Sequence, residues 1–144
     1  MRAEENKALI RDFWDELWNK GNLDIVDKVY APDYVGHDHF SPQPITLQGR
    51  KEMVAMNRKA FPDIRTTVDD QIAEGDFVVS RWSARGTHKG DLMGIPPSGK
   101  AVTLRGITTI RFVGGKIAEQ WENWDSLGML QQLGVVPTPG QSGG

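Results

Sequence analysis

Gly114 to Asp125 reads GGKIAEQWENWD, and two tryptophans and three acids fall within its last seven residues. The paired glycines mark a hairpin turn, so a strand begins at Lys116. A strand sends alternate side chains to opposite faces. Either Ala118, Gln120, Glu122 and Trp124 face the interior, or Ile117, Glu119, Trp121 and Asn123 do. The pattern alone fits both. The first choice places a carboxylate among large apolar rings, where an acid can be tuned for proton transfer. The second is an ordinary amphipathic strand.

Upstream of this segment, IRTTVDDQIAEG (64–75) alternates weakly, DFVVSRWSARGTH (76–88) strongly, and KAVTLRGITTIRF (100–112) precedes the VGGK turn. With the last segment these predict four strands, joined by hairpins at EGD and VGGK. Val78, Ser80, Trp82, Ala84, Gly86 and His88 share one face of the second strand. In the third, Leu104, Gly106, Thr108, Ile110 and Phe112 share a face. Thr103, Arg105, Thr109 and Arg111 lie opposite, and the two arginines assign the Leu104 set to the interior.

Towards the N-terminus the period changes to that of a helix. Leu9, Ile10, Phe13, Trp14, Leu17 and Trp18 form one apolar face, predicting a helix from Ala3 to Lys20 with Gly21 as its C-terminal stop. A second helix is expected over Leu23–Tyr30, ended by Ala31-Pro32, and a third over Gly49–Ala60. SLGMLQQLG (126–134) reads as a short helix capped by Asp125 or Ser126 and ended at Gly134. Helices followed by strands give an α+β fold, with the helices packed on a curved antiparallel sheet. One domain is expected over residues 1–136, followed by a disordered Pro/Gly/Ser tail at 137–144.

Composition narrows the function. The chain has 144 residues, 38% hydrophobic and 25% charged, with a formal net charge of −2. That balance suits a globular domain and gives no electrostatic case for nucleic acid or an anionic membrane. The absence of cysteine excludes disulfides and thiolate chemistry. Three histidines without zinc-motif spacing argue against a metal site. His37, Asp38 and His39 are adjacent, but in an extended segment their side chains splay to opposite faces. No cofactor is expected. The acidic N-terminus lacks the apolar stretch of a signal peptide, so a cytoplasmic location is expected.

The segment GTHKGDLMGIPPSGKAVTLRGITTIRFVGGKIAEQWENWDSLGMLQQLG (86–134) resembles the C-terminal half of the SnoaL-like polyketide cyclase family. That family belongs to the nuclear transport factor two-like superfamily of α+β cones. The shared features are H-x-G-x-x-x-G-x-P-P from His88, the R-x-x-x-G-K-I turn, then an acid, W-x-D and L-x-Q-L-G. The N-terminal half is looser, with APDYV (31–35) and Gly49-Arg50 in family-like places. The resemblance implies a pocket between helix and sheet. In such cyclases an aspartate on the final strand is the general acid/base of an intramolecular aldol closure, and that position falls on Glu122. It therefore implies that Ala118, Gln120, Glu122 and Trp124 face the pocket. Ile117 and Trp121 would then lie outside and imply a homodimer interface. Positions where the family carries amide or imidazole groups fall on Gly36, Gly106 and Thr108. His88 keeps its family place, and His37 follows Gly36.

The expected catalytic groups are Glu122 as base, with His88 and His37 orienting or polarising the substrate. Trp124, Trp14 and Trp82 would desolvate the carboxylate. The expected pocket comprises Trp14, Trp18, Tyr34, Met53, Phe61, Trp82, Met93, Gly106, Thr108, Gln120, Trp124 and Asp125, with Tyr30 and Met56 as further apolar wall. Asp125 has a structural alternative as helix cap. The loop MGIPPSGK (93–100) is expected to cover the cone. The ligand would be small and apolar or aromatic. The chemistry expected is cofactor-independent cyclisation or isomerisation of a carbonyl compound, of the lyase or isomerase kind. Two alternatives stand beside it: a non-catalytic ligand-binding or dimerisation module, and an epoxide or ester hydrolase. Epoxide opening would call for an acid–arginine–acid set, and Arg105 and Arg111 point the wrong way.

Overall fold

The computed structural model describes residues 2–137. Met1 and the expected tail from Thr138 onward lie outside the described residues. The elements run α1 (Arg2–Trp14), a π-helical turn (Asp15–Asn19), α2 (Ile25–Val29), β1 (Tyr30–Asp38), α3 (Leu47–Ala60), β2 (Arg65–Glu74), β3 (Phe77–Thr87), β4 (Ala101–Val113), β5 (Lys116–Trp124) and α4 (Ser126–Gln132). The fold is α+β, as the pattern implies. One sheet has the order β1-β5-β4-β3-β2. Its pairs are antiparallel except β1 with β5, which run parallel.

The expected N-terminal helix is present, but its last turn is wider than α-helical. Asn19 ties that turn to the sheet: its Nδ2 donates to the Thr66 carbonyl at 3.1 Å and its Oδ1 accepts from Thr66 N–H at 2.6 Å. Ile10, Phe13, Trp14 and Leu17 are buried against Val78, Ile110 and Phe112 of the sheet. In α3, Thr46 Oγ1 caps the helix by accepting from Gly49 N–H at 3.1 Å.

Two expectations are corrected. The sheet has five strands rather than four, because Tyr30–Asp38 forms β1. Pro32 disguises it: proline has no N–H to give a ladder and is tolerated on edge strands and irregularities. Here β1 is an edge, and its pairing skips between Tyr30 and Val35. The second correction concerns Ile117. Arg111 pairs with Glu119 while Phe112 pairs with Ile117, leaving Ala118 as the extra residue of a bulge. A bulge resets the alternation. Ile117 is consequently buried in the main core instead of lying on the outer face, and Ala118 is no part of the cavity wall.

Candidate active site

Between the helices and the inner sheet face lies a cavity of about 580 Å³, a size suited to a small organic ligand. Trp14 and Trp18 form one wall, Met53 and Met56 of α3 a second, and Trp82, Leu104 and Trp124 the sheet side. Phe40 and Met93 stand at its edge, both substantially exposed. Phe40 packs edge-on to Trp124, with ring centroids 5.1 Å apart.

The ionisable residues of the lining are Asp38, Arg50 and Glu122. Glu122 lines the cavity, and its side chain is 13% exposed. Arg50 of α3 donates from Nη1 to Glu122 Oε2 at 3.1 Å and from Nε to Tyr34 Oη at 3.1 Å. Tyr34 Oη donates to Gln120 Oε1 at 3.3 Å, and Gln120 Nε2 donates to Glu122 Oε1 at 2.6 Å. These four side chains close a ring of hydrogen bonds. Tyr30 joins from behind, donating to Gln120 Oε1 at 3.2 Å. Both oxygens of Glu122 therefore accept from oriented donors.

Electrostatics follows from the burial. Burial pushes the Tyr34 phenol up to about 12, with Arg50 working against the shift. Burial raises Tyr30 further still. Burial also opposes the charge on Arg50, but Glu122 and the two tyrosines more than offset it, so the guanidinium holds its proton more firmly than usual. The site thus contains a permanent cation against a carboxylate, walled by four indoles.

Two of the positions where the resemblance leads one to expect polar side chains are occupied by their neighbours. A Cβ at Gly36 would sit 2.6 Å from Tyr34 Oη, so glycine leaves room for that hydroxyl. A Cβ at Gly106 would collide with the Trp82 indole, which lies across it. Thr108 is buried and accepts from Trp82 Nε1 at 2.9 Å, fixing the ring. The donors near Glu122 come from Arg50, Tyr34 and Gln120 instead.

Of the sequence-derived candidates, Glu122, Trp14, Trp18, Met53, Met56, Trp82, Met93 and Trp124 line the cavity. Tyr30, Tyr34 and Gln120 form the network behind Glu122. His37 is elsewhere. Strand alternation turns it outward, where Nε2 meets Glu119 Oε2 at 2.7 Å and its ring stacks on Trp121 at 5.4 Å. His88 is fully buried beside Phe61, off the cavity wall. Its Nδ1 lies 2.9 Å from Ser98 Oγ and accepts from Ser98 N–H at 3.3 Å, so the ring anchors the MGIPPSGK loop. From that loop Met93 lines the cavity, as does the neighbouring Leu92. Asp125 caps α4, accepting from Gly128 N–H at 2.8 Å, and is no part of the cavity wall.

Arg50 and Asp38 are the residues the sequence reading missed. An arginine within a helix reads as surface, although Gly49-Arg50 carries the family resemblance. Asp38, whose Cα partner is Glu122 across the β1–β5 ladder, becomes visible only once β1 is recognised. Among the described residues no group of three or more metal-ligating side chains converges. No helix among them is long and apolar enough to cross a membrane.

Comparison with known proteins agrees with this geometry. The sequence model of the SnoaL-like polyketide cyclase family matches residues 8–133, so the chain belongs to that family. The nogalonic acid methyl ester cyclase of Streptomyces nogalater is 30% identical over 135 residues, covering 88% of this chain and 95% of that protein. The aklanonic acid methyl ester cyclase DauD of Streptomyces sp. (strain C5) is 38% identical over 129 residues, covering 86% and 80%. Among solved structures, AclR from Streptomyces galilaeus, a proposed hydroxylase, superposes with a TM-score of 0.84 at 30% identity, covering 94% of this chain and 85% of its own. IdmH from Streptomyces antibioticus, a proposed polyketide cyclase, gives 0.78 at 31%, covering 94% and 100%.

Proposed function

We propose that this protein catalyses an intramolecular aldol-type cyclisation of an apolar, carbonyl-bearing polyketide, with Glu122 as the proton-transfer group and no cofactor. The single observation that carries the reading is the Glu122 carboxylate on the wall of an indole-lined cavity, held by Arg50 and Gln120. Glu122 takes a proton from a carbon flanked by carbonyls, and the electron pair delocalises onto a carbonyl oxygen beside Arg50. The carbanion forms a C–C bond to a second carbonyl carbon, whose oxygen accepts the proton back from Glu122. No atom is lost. Arg50, fixed before the reaction, stabilises the charge as it develops, and the indoles exclude water.

The test is product formation from the methyl esters of aklanonic or nogalonic acid, the compounds for which the relatives are named. The ring-closed isomer is expected with the parent and not with Glu122→Gln. A protein that binds such esters but never closes the ring would instead be a ligand-binding module.

One observation favours a second reading. Asp38, Arg50 and Glu122 supply the acid–arginine–acid set that epoxide opening calls for, all on the cavity wall. In that reaction one carboxylate takes a proton from water, the hydroxyl bonds to carbon, and the breaking C–O bond leaves an alkoxide that takes a proton from the other acid. Vicinal diol from an apolar epoxide would identify it.

The reading includes a homodimer formed through the outer sheet face. Val35, Phe77 and Ile107 are exposed there, and Trp121 lies beside Phe77. Light scattering should give twice the chain mass, and a monomer would remove this part. A cytoplasmic location also belongs to the proposal.

A further inference from the structure

Two polar atoms beside Glu122 lack partners among the described residues, and they are opposite in kind. The Asp38 side chain is 1% exposed. Its Oδ1 accepts from Phe40 N–H at 3.0 Å and lies 3.5 Å from His39 Nδ1. Its Oδ2 has no hydrogen-bond partner among the described residues. The Arg50 side chain is 2% exposed. Its Nε and Nη1 are engaged by Tyr34 and Glu122, whereas Nη2 has no acceptor among the described residues. Asp38 and Arg50 both line the cavity. Leaving a buried polar group unpaired is costly, and more so for a charged one. Native folds keep few such atoms, and each calls for an explanation. A ligand supplying one donor and one acceptor satisfies both at once.

We propose that Asp38 Oδ2 and Arg50 Nη2 form a subsite that reads a hydroxyl and a carbonyl on the same ligand. Asp38 accepts from the hydroxyl and Arg50 donates to the carbonyl. Asp38 is thereby a specificity-determining residue, selecting ligands in which a hydroxyl accompanies the carbonyl. This rests on the cavity being the substrate site, but on nothing about the chemistry performed there. Glu122 differs from Asp38 in that each of its oxygens already accepts a hydrogen bond, whereas Asp38 Oδ2 accepts none among the described residues. A methoxy group in place of the hydroxyl would set an acceptor oxygen against the carboxylate. Sites built to bond a hydroxyl reject analogues that lack the proton.

Asp38→Asn has a defined outcome. Phe40 N–H holds Oδ1, so the amide oxygen stays there and the NH2 replaces Oδ2. An acceptor becomes a donor. The experiment titrates 2-hydroxyanthraquinone and 2-methoxyanthraquinone into the protein, following quenching of the cavity tryptophans. The parent is expected to bind the hydroxy compound about tenfold tighter or more, and Asp38→Asn to bind the methoxy compound equally or better. Asp38→Ala, should the amide variant fold poorly, is expected to lose the preference. Equal affinities in the parent, no binding of either compound, or an unchanged preference in a folded Asp38 variant would overturn the subsite. Glu122→Gln should keep the preference. If it does while ring closure is never observed, the chemistry fails and the subsite stands.

Discussion

Arg50 on α3 and Glu122 on β5, 72 positions apart in the sequence, meet at 3.1 Å on the cavity wall. The ion pair is almost entirely out of water, with side chains 2% and 13% exposed. Removing one member strands the other charge. Arg50→Met should therefore destabilise the fold by roughly 3–5 kcal/mol in urea denaturation. The double variant Arg50→Met, Glu122→Leu should recover most of that loss, because apolar replacement of both partners removes the desolvation cost. A single Arg50→Met variant as stable as the parent would show that the pair is looser than this geometry.

The two tyrosines of the chain, Tyr30 and Tyr34, are both buried. Their folded values are raised, Tyr34 to about 12, from an ordinary 10.0. The unfolded chain loses these protons first as pH rises, so stability is intact below pH 10 and declines above it. Absorbance at tyrosinate wavelengths should stay flat through pH 10, then rise together with loss of the near-ultraviolet circular dichroism of the tryptophans. A smooth titration centred on 10 in the native protein would contradict the buried network.

Gly106 holds the Trp82 ring against the sheet floor. A methyl group at this position would collide with the indole and lie 2.9 Å from the Asn123 carbonyl. Gly106→Ala should cost about 1–3 kcal/mol, shift the near-ultraviolet spectrum and weaken ligand binding. Unchanged melting and an unchanged spectrum would mean that Trp82 is not seated there.

On the outer face, Glu119 is bonded by His37 and Arg111, at 2.7 and 3.1 Å. The His37 bond, helped by Arg111, lowers the carboxyl below its ordinary 4.5. With the folded value depressed, the stabilisation is complete above 4.5 and fades as pH falls below it. Glu119→Gln should accordingly be less stable than the parent at neutral pH, with the gap closing in acid. Because the group is partly exposed, the effect is expected to be modest. Equal stability at every pH would remove it.

The strands whose alternation is unbroken were legible in the sequence: Val78, Ser80 and Ala84 on β3 and Thr108, Ile110 and Phe112 on β4 are buried as parity requires. So was the helical face from Ile10 to Leu17. The misplacements occurred where one irregular residue breaks the count. The Ala118 bulge moves Ile117 inward, and Pro32 hides an edge strand whose alternation aims Tyr34 and Asp38 inward and His37 outward. Arg50 escaped for a different reason. Its burial depends on Glu122 and Tyr34, which are remote in sequence, and no local pattern encodes such a partner.

If the Glu122 carboxylate moves a proton at carbon, as proposed, hydrogen on the activated carbon of aklanonic acid methyl ester exchanges for deuterium at a rate set by that group, which NMR in D2O follows while ligand affinity is measured in parallel. The parent should accelerate exchange, and Glu122→Gln should bind the ester comparably while losing about 10²–10⁴-fold in rate. A Glu122→Gln variant that exchanges as fast as the parent would mean that this carboxylate is not the proton-transfer group.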